Sequence, residues 1–257
     1  MAQGPYTNEG LMQEEAGQPN ILGLGDSWFW YPANNLLIPI WNLWGGTKVI
    51  LTHGFPGAKA VQLTAKKVLD PFRSALRGYD RLEAVLLSAG GNDFAGRDDM
   101  LRILKSDCSG AAAPEDCFDH DSVEEVLFGE VLGAYRTLVG SVKDLRPEVM
   151  VFVHNYDYAI PTGLGFGAAG DFKGFGGWLK LPMDMVGVPA ALQPAAVNHL
   201  IDKFSEVLVQ VQKEFPSQVL LVDTTGTLSA GDWANELHPT PKGFEKLVHA
   251  GWEPLLT

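Results

Sequence analysis

Five short apolar runs rich in β-branched residues punctuate this chain, at residues 20–24, 48–52, 84–88, 150–154 and 219–223. Turn-forming or polar residues bound each one, the signature of a buried strand. Between them lie stretches with helical period at 58–76, 123–145, 195–214 and 241–252, the first with a break expected at Pro71. Strands alternating with helices predict a parallel sheet covered on both faces. The expected fold is therefore α/β, a three-layer α/β/α sandwich around a five-stranded parallel sheet. No internal repeat or linker stands out, so residues 20–257 read as one domain and the polar residues 1–19 as a flexible N-terminal arm.

Two segments break this rhythm. Residues 96–121 form an acidic insertion, and residues 161–189 are rich in glycine and aromatic residues. Long irregular segments in compact domains tend to be binding loops. Both follow strand ends, so both are expected to overhang one edge of the sheet, where open α/β sheets bind ligands.

Composition narrows the function classes. The chain has 257 residues, 46% of them hydrophobic, enough for one sizeable core. The net charge of -12 repels phosphate backbones, which argues against nucleic acid as a partner. No run approaches the roughly 18 apolar residues of a membrane span. The start lacks the basic and apolar regions of a secretory signal, so the expected location is cytoplasmic. Cys108 and Cys117 share one loop and are expected to form a disulfide, because that loop reads as lacking other apolar anchors; such a bond would point to export without a signal peptide. No Cys or His spacing suits a metal.

Candidate chemistry gathers at the strand ends. Gly25-Asp26-Ser27 follows the first strand and offers a hydroxyl to the sheet edge. His53-Gly54-Phe55-Pro56-Gly57 follows the second, a glycine turn that bares N–H groups toward developing negative charge. Gly90-Gly91-Asn92-Asp93 follows the third and adds a side-chain amide donor. Asn235-Glu236-Leu237-His238-Pro239 places a histidine before the last helix. A serine, a base and oxyanion donors are the parts of an acyl-transfer site.

These four blocks, in this order, resemble the SGNH or GDSL hydrolase superfamily from residue 21 to about 244. The resemblance implies a flavodoxin-like three-layer fold, ester hydrolysis, and no metal or cofactor. Position by position it implies Ser27 as nucleophile, Gly57 and Asn92 as oxyanion donors beside the Ser27 N–H, and His238 as general base. One departure stands out: the family's final block is Asp-x-x-His, and here Asn235 holds the acid position. Glu236 or Asp232 could supply the carboxylate from a shifted turn, a backbone carbonyl could orient the ring, or the site could be weak.

Other residues bear on the substrate. Trp28 and Trp30 follow the nucleophile at once, while His154 and Tyr156 end the fourth strand; all four are candidate substrate contacts, although a buried, hydrogen-bonded histidine is the commoner role for a residue like His154. Aromatic rings near a nucleophile suit an acyl chain. The expected reaction is hydrolysis of a small-molecule carboxylic ester of medium acyl chain through an acyl-enzyme on Ser27. A carbohydrate O-acetylesterase, or a catalytically weak binding module of the same fold, stands as the alternative. Oligomeric state is not legible.

Overall fold

The computed structural model describes residues 4–30, 34–165 and 177–256. Its centre is an all-parallel five-stranded sheet built from β1 (Ile21–Gly25), β2 (Ile50–Gly54), β3 (Ala84–Ser88), β4 (Met150–His154) and β5 (Val219–Val222). Their order across the sheet is β2-β1-β3-β4-β5. Buried on both faces, β1 and β3 are apolar along their length, as a covered parallel sheet requires. Helices Lys66–Gly78, Leu132–Leu145 and Gln193–Glu214 pack as a connected set, and the segment Leu37–Leu43 packs instead with the C-terminal helical turns. The register aligns Gly25 of β1 with Gly54 of β2 and Ser88 of β3, so three chain reversals leave the sheet side by side. Gly25 has to be glycine here, since a Cβ would lie 2.8 Å from the Ser88 carbonyl oxygen.

Several local expectations give way to tertiary packing. Pro71 does not break its helix, which runs from Lys66 to Gly78; the break falls earlier, at Thr64-Ala65, after a short helix Ala60–Leu63. The stripe Val68, Leu69, Phe72, Ala75 and Leu76 is buried, and that anchoring outweighs one lost backbone bond on the exposed side. The stretch from His120 to Leu145 is one helical run interrupted by a π-helical stretch at Glu125–Val131.

Residues 4–19, expected as a flexible arm, are folded onto the sheet. Tyr6 extends the exposed edge of β2, donating to Ile50 O (2.8 Å) and accepting from Thr52 N (2.8 Å). Asn8 then caps helix Glu9–Ala16 by accepting from Leu11 N, and Met12 is fully buried. Two isolated anchors in a polar stretch carry no periodicity, which is why the pattern does not show them.

The insertion at 96–121 is also more ordered than its composition suggests. It contains helix Arg97–Ile103 and a bridge between Leu104 and Phe118. Met100, Ile103, Leu104 and Phe118 are all buried. With those anchors the segment needs no covalent staple, and the expected disulfide is not formed: Cys108 and Cys117 are free, buried thiols. The Cys108 thiol instead donates to Cys117 O at 3.3 Å. Burial raises both thiols, that of Cys117 to about 11, so neither is a ready thiolate.

Candidate active site

Ser27 opens the short helix Ser27–Trp30 directly after β1. As the first residue of a helix its N–H has no intrahelical acceptor and is available to an incoming oxygen. Its hydroxyl lies 2.8 Å from His238 Nε2. His238 stands in the turn before helix Pro241–Leu247, braced by Ala234 N donating to His238 O (2.9 Å) and by a bridge between Trp233 and Pro239. The serine turn and the histidine turn are tied directly: Trp28 Nε1 donates to Leu237 O at 2.9 Å.

Asn235 occupies the position opposite the other ring nitrogen, with Oδ1 3.1 Å from His238 Nδ1. The same oxygen accepts from the backbone N–H groups of Leu237 and His238, each at 2.9 Å. Two backbone donors cannot face an amide NH2, so the orientation of Asn235 is fixed by chemistry. Its oxygen must point at Nδ1, which must then carry the proton. That leaves Nε2 bare and aimed at the Ser27 hydroxyl, the tautomer a general base needs.

The two carboxylates considered as replacements are engaged elsewhere. Asp232 pairs with Lys246 at 2.7 Å and accepts from Ser229, which holds its carboxyl down at about 2. Glu236 is fully buried and accepts only backbone N–H groups among its described hydrogen bonds, from Gly163, Leu179 and Lys180. The third position is therefore filled by the neutral amide of Asn235. Burial pushes the His238 imidazolium down to about 4.

A buried network supports the floor. Asp26 Oδ1 accepts from Trp28 N (3.0 Å) and the Ser88 hydroxyl (2.9 Å), and Oδ2 accepts from Tyr156 at 2.5 Å. Burial nonetheless raises the Asp26 carboxyl to about 6. Asp93 Oδ2 accepts from Ala60 N at 2.8 Å, and burial raises this group to about 7. Both aspartates brace turns: Asp26 fixes the serine turn, and Asp93 ties the third strand end to the start of helix Ala60–Leu63. Ser88 is a member that sequence reading missed, although its place opposite Gly25 at a strand end was the available signal.

Asn92 lines the pocket in front of Ser27, and its amide also donates to Ala58 O at 3.1 Å. That bond holds the glycine turn of β2 against the third strand end. Gly57 lies in this turn with φ 74°, exposed, and is not part of the pocket wall.

The pocket beside Ser27 has a mostly apolar wall. Trp28 and Tyr156 contribute to it, together with Phe94, Leu179, Ile201 and Trp233. His154 and Trp30 do not. His154 is fully buried, stacked on Trp28 and Phe29, with Nδ1 bonded to Asn155 O at 2.8 Å; it fills the layer beneath the site. Trp30 covers Gly54, where any Cβ would lie 2.2 Å from the Trp30 side chain. The wall residues Leu179, Val197 and Ile201 come from segments far along the chain, and nothing in the sequence marks them. Among the described residues no group of three or more His, Cys, Asp or Glu side chains is placed to hold a metal ion, and no helix is long and apolar enough to cross a membrane.

Residues 21–246 match the GDSL-like lipase/acylhydrolase family. No curated protein matches the sequence. Solved structures are similar in fold. The extracellular lipase of Streptomyces rimosus is 17% identical with a TM-score of 0.55, over 92% of this chain and 97% of that one. Phospholipase A1 of Streptomyces albidoflavus NA297 is 17% identical with a TM-score of 0.52, over 93% and 98%.

Proposed function

The chain belongs to the GDSL-like lipase/acylhydrolase family, a family of serine ester hydrolases, and from that premise we propose that Ser27 is its nucleophile, His238 its general base and Asn235 the residue that orients the base. The observation that carries this reading is the continuous line from Ser27 Oγ through His238 to Asn235 Oδ1, at 2.8 and 3.1 Å. His238 takes the Ser27 proton as Oγ attacks the ester carbonyl, then returns it to the departing alcohol. Water repeats the sequence and frees the acid. The oxygen that becomes negative is met by the Ser27 N–H and the Asn92 amide, which face the same pocket, whereas Gly57 lies outside its wall. Such donors act strongly because they are aimed before the charge develops.

The substrate is a carboxylic ester of medium acyl chain. An apolar wall next to the nucleophile supports this reading, since it favours a hydrocarbon over a hydroxylated group. Hydrolysis of p-nitrophenyl esters from acetate to palmitate tests it. The expected optimum lies between butyrate and decanoate; fastest turnover on acetylated sugars would assign the pocket to carbohydrate esters instead.

A further inference from the structure

We infer that Glu236 is a positioning residue that sets acyl-chain selectivity by holding the backbone at Gly163-Leu164 and at Leu179-Lys180, and with it the pocket-wall residue Leu179, to the histidine turn. The inference rests on the reading of Ser27 and His238 given above. Glu236 is fully buried, and among the described residues no cation pairs with it. A buried carboxylate left that way is costly unless its oxygens are saturated by donors. Here they are met by backbone alone. Oε1 accepts from Gly163 (2.7 Å) and from Lys180 (3.1 Å), and Oε2 accepts from Leu179 (2.8 Å). The backbone returns one bond, Glu236 N to Leu164 O at 3.1 Å. One residue thus binds two stretches of backbone, at Gly163 and Leu164 and at Leu179 and Lys180.

Two details link this clamp to selectivity. Leu179 is part of the pocket wall, and the neighbouring Trp178 ring stands edge-on to His238 at 6.1 Å. Gly177 has been left without a side chain where one would strike the carboxylate: a Cβ there would lie 2.3 Å from Glu236 Oε2. The clamp therefore constrains the sequence on both sides of the contact. Glu236 adjoins Asn235 in the chain but makes no described bond to His238, so its influence runs through the wall rather than through proton transfer.

The chemistry of the clamp gives a sharp test. Three N–H donors approach two oxygens, so both oxygens must accept. In Glu236→Gln one of them becomes an NH2 group and faces a backbone donor, so the conservative amide cannot substitute. Losing a charge-assisted bond of this kind corresponds to about a tenfold or larger change. For Glu236→Gln the expected result is a KM for p-nitrophenyl octanoate about tenfold higher, with kcat/KM for acetate within about twofold of the parent. The acid limb of the pH profile is expected to stay where it is. Gly177→Ala, which keeps the carboxylate and displaces it from the other side, is expected to give the same split, and Glu236→Asp, which retains two accepting oxygens, to recover part of it. Equal losses on acetate and octanoate, or an unchanged octanoate KM in both variants, would overturn the inference. If the parent protein hydrolyses no ester, the assignment of Ser27 and His238 fails, and that outcome is distinct from a failure of the clamp.

Discussion

Replacing Asn235 with aspartate isolates what the neutral amide does. In the parent protein His238 is buried and donates an orienting hydrogen bond to Asn235, which carries no negative charge, so burial sets its pKa at about 4. A carboxylate at the same place would sit with its charge roughly 4 Å from the imidazolium. At an effective dielectric of about 20 that is worth about 4 kcal/mol, or roughly three pKa units. Desolvation of the new carboxylate takes back part of this, although the N–H groups of Leu237 and His238 would stay as donors to it. Asn235→Asp is therefore expected to move the acid limb of kcat/KM from about 4 to between about 6 and 7, and to raise turnover at pH 8 about tenfold or more. The assay is the pH dependence of p-nitrophenyl butyrate hydrolysis, whose kcat/KM limb reports the free enzyme. Asp26 and Asp93 titrate at about 6 and about 7 but are common to both proteins, so the difference between the two profiles reads His238. In a protease triad, Asp→Asn at this position costs about four orders of magnitude because the ring takes the wrong tautomer. Here two backbone donors lock the amide the right way round, so the parent is expected to be far more active than that precedent allows. An acid limb that Asp at 235 fails to move would refute the reasoning.

Other expectations follow from the same geometry. Asn92→Ala should lower kcat about 10²- to 10³-fold while leaving KM nearly unchanged, because the amide is needed most when charge appears on oxygen; steady-state kinetics on a short ester checks this. Trp28→Phe removes the bond from Nε1 to Leu237 O while keeping an aromatic ring, and should lower kcat/KM about tenfold by loosening the serine turn from the histidine turn; a crystal structure of the variant should show Ser27 Oγ and His238 Nε2 farther apart. His154 and His238 are both held at about 4 in the folded protein, below the ordinary histidine value. The unfolded chain binds those protons first, so stability should fall as pH drops from about 6.5 toward 4. Each group contributes up to about 3 kcal/mol, and urea titrations at pH 7 and pH 4.5 should show it.

Much of this architecture is legible in the sequence because buried parallel strands are written as unbroken apolar runs. Residues 84–88 and 150–154 match β3 and β4, and the first two strands are displaced by only one or two positions. The candidate site residues Ser27, Asn92 and His238 are legible for a related reason: polar residues placed at strand ends leave short polar blocks next to those runs. What is not legible depends on partners distant in sequence. The role proposed for Asn235 follows from two backbone N–H groups that only the folded turn directs at its oxygen. His154 reads as a site residue because it ends a strand, yet it points into the layer beneath. Trp30 reads as a pocket ring, yet it is taken up by the gap at Gly54. The anchoring of Tyr6 and Met12 rests on single contacts without a period. The Cys108–Cys117 pair invites a disulfide only when the apolar anchors around it go unnoticed.

The most direct test of the central claim is mass spectrometry of the protein quenched during hydrolysis of p-nitrophenyl octanoate, beside Ser27→Ala under the same conditions. The account predicts an octanoyl adduct on the peptide containing Ser27, absent from a variant that has lost turnover. Full turnover by Ser27→Ala, or an adduct on a different residue, would contradict it.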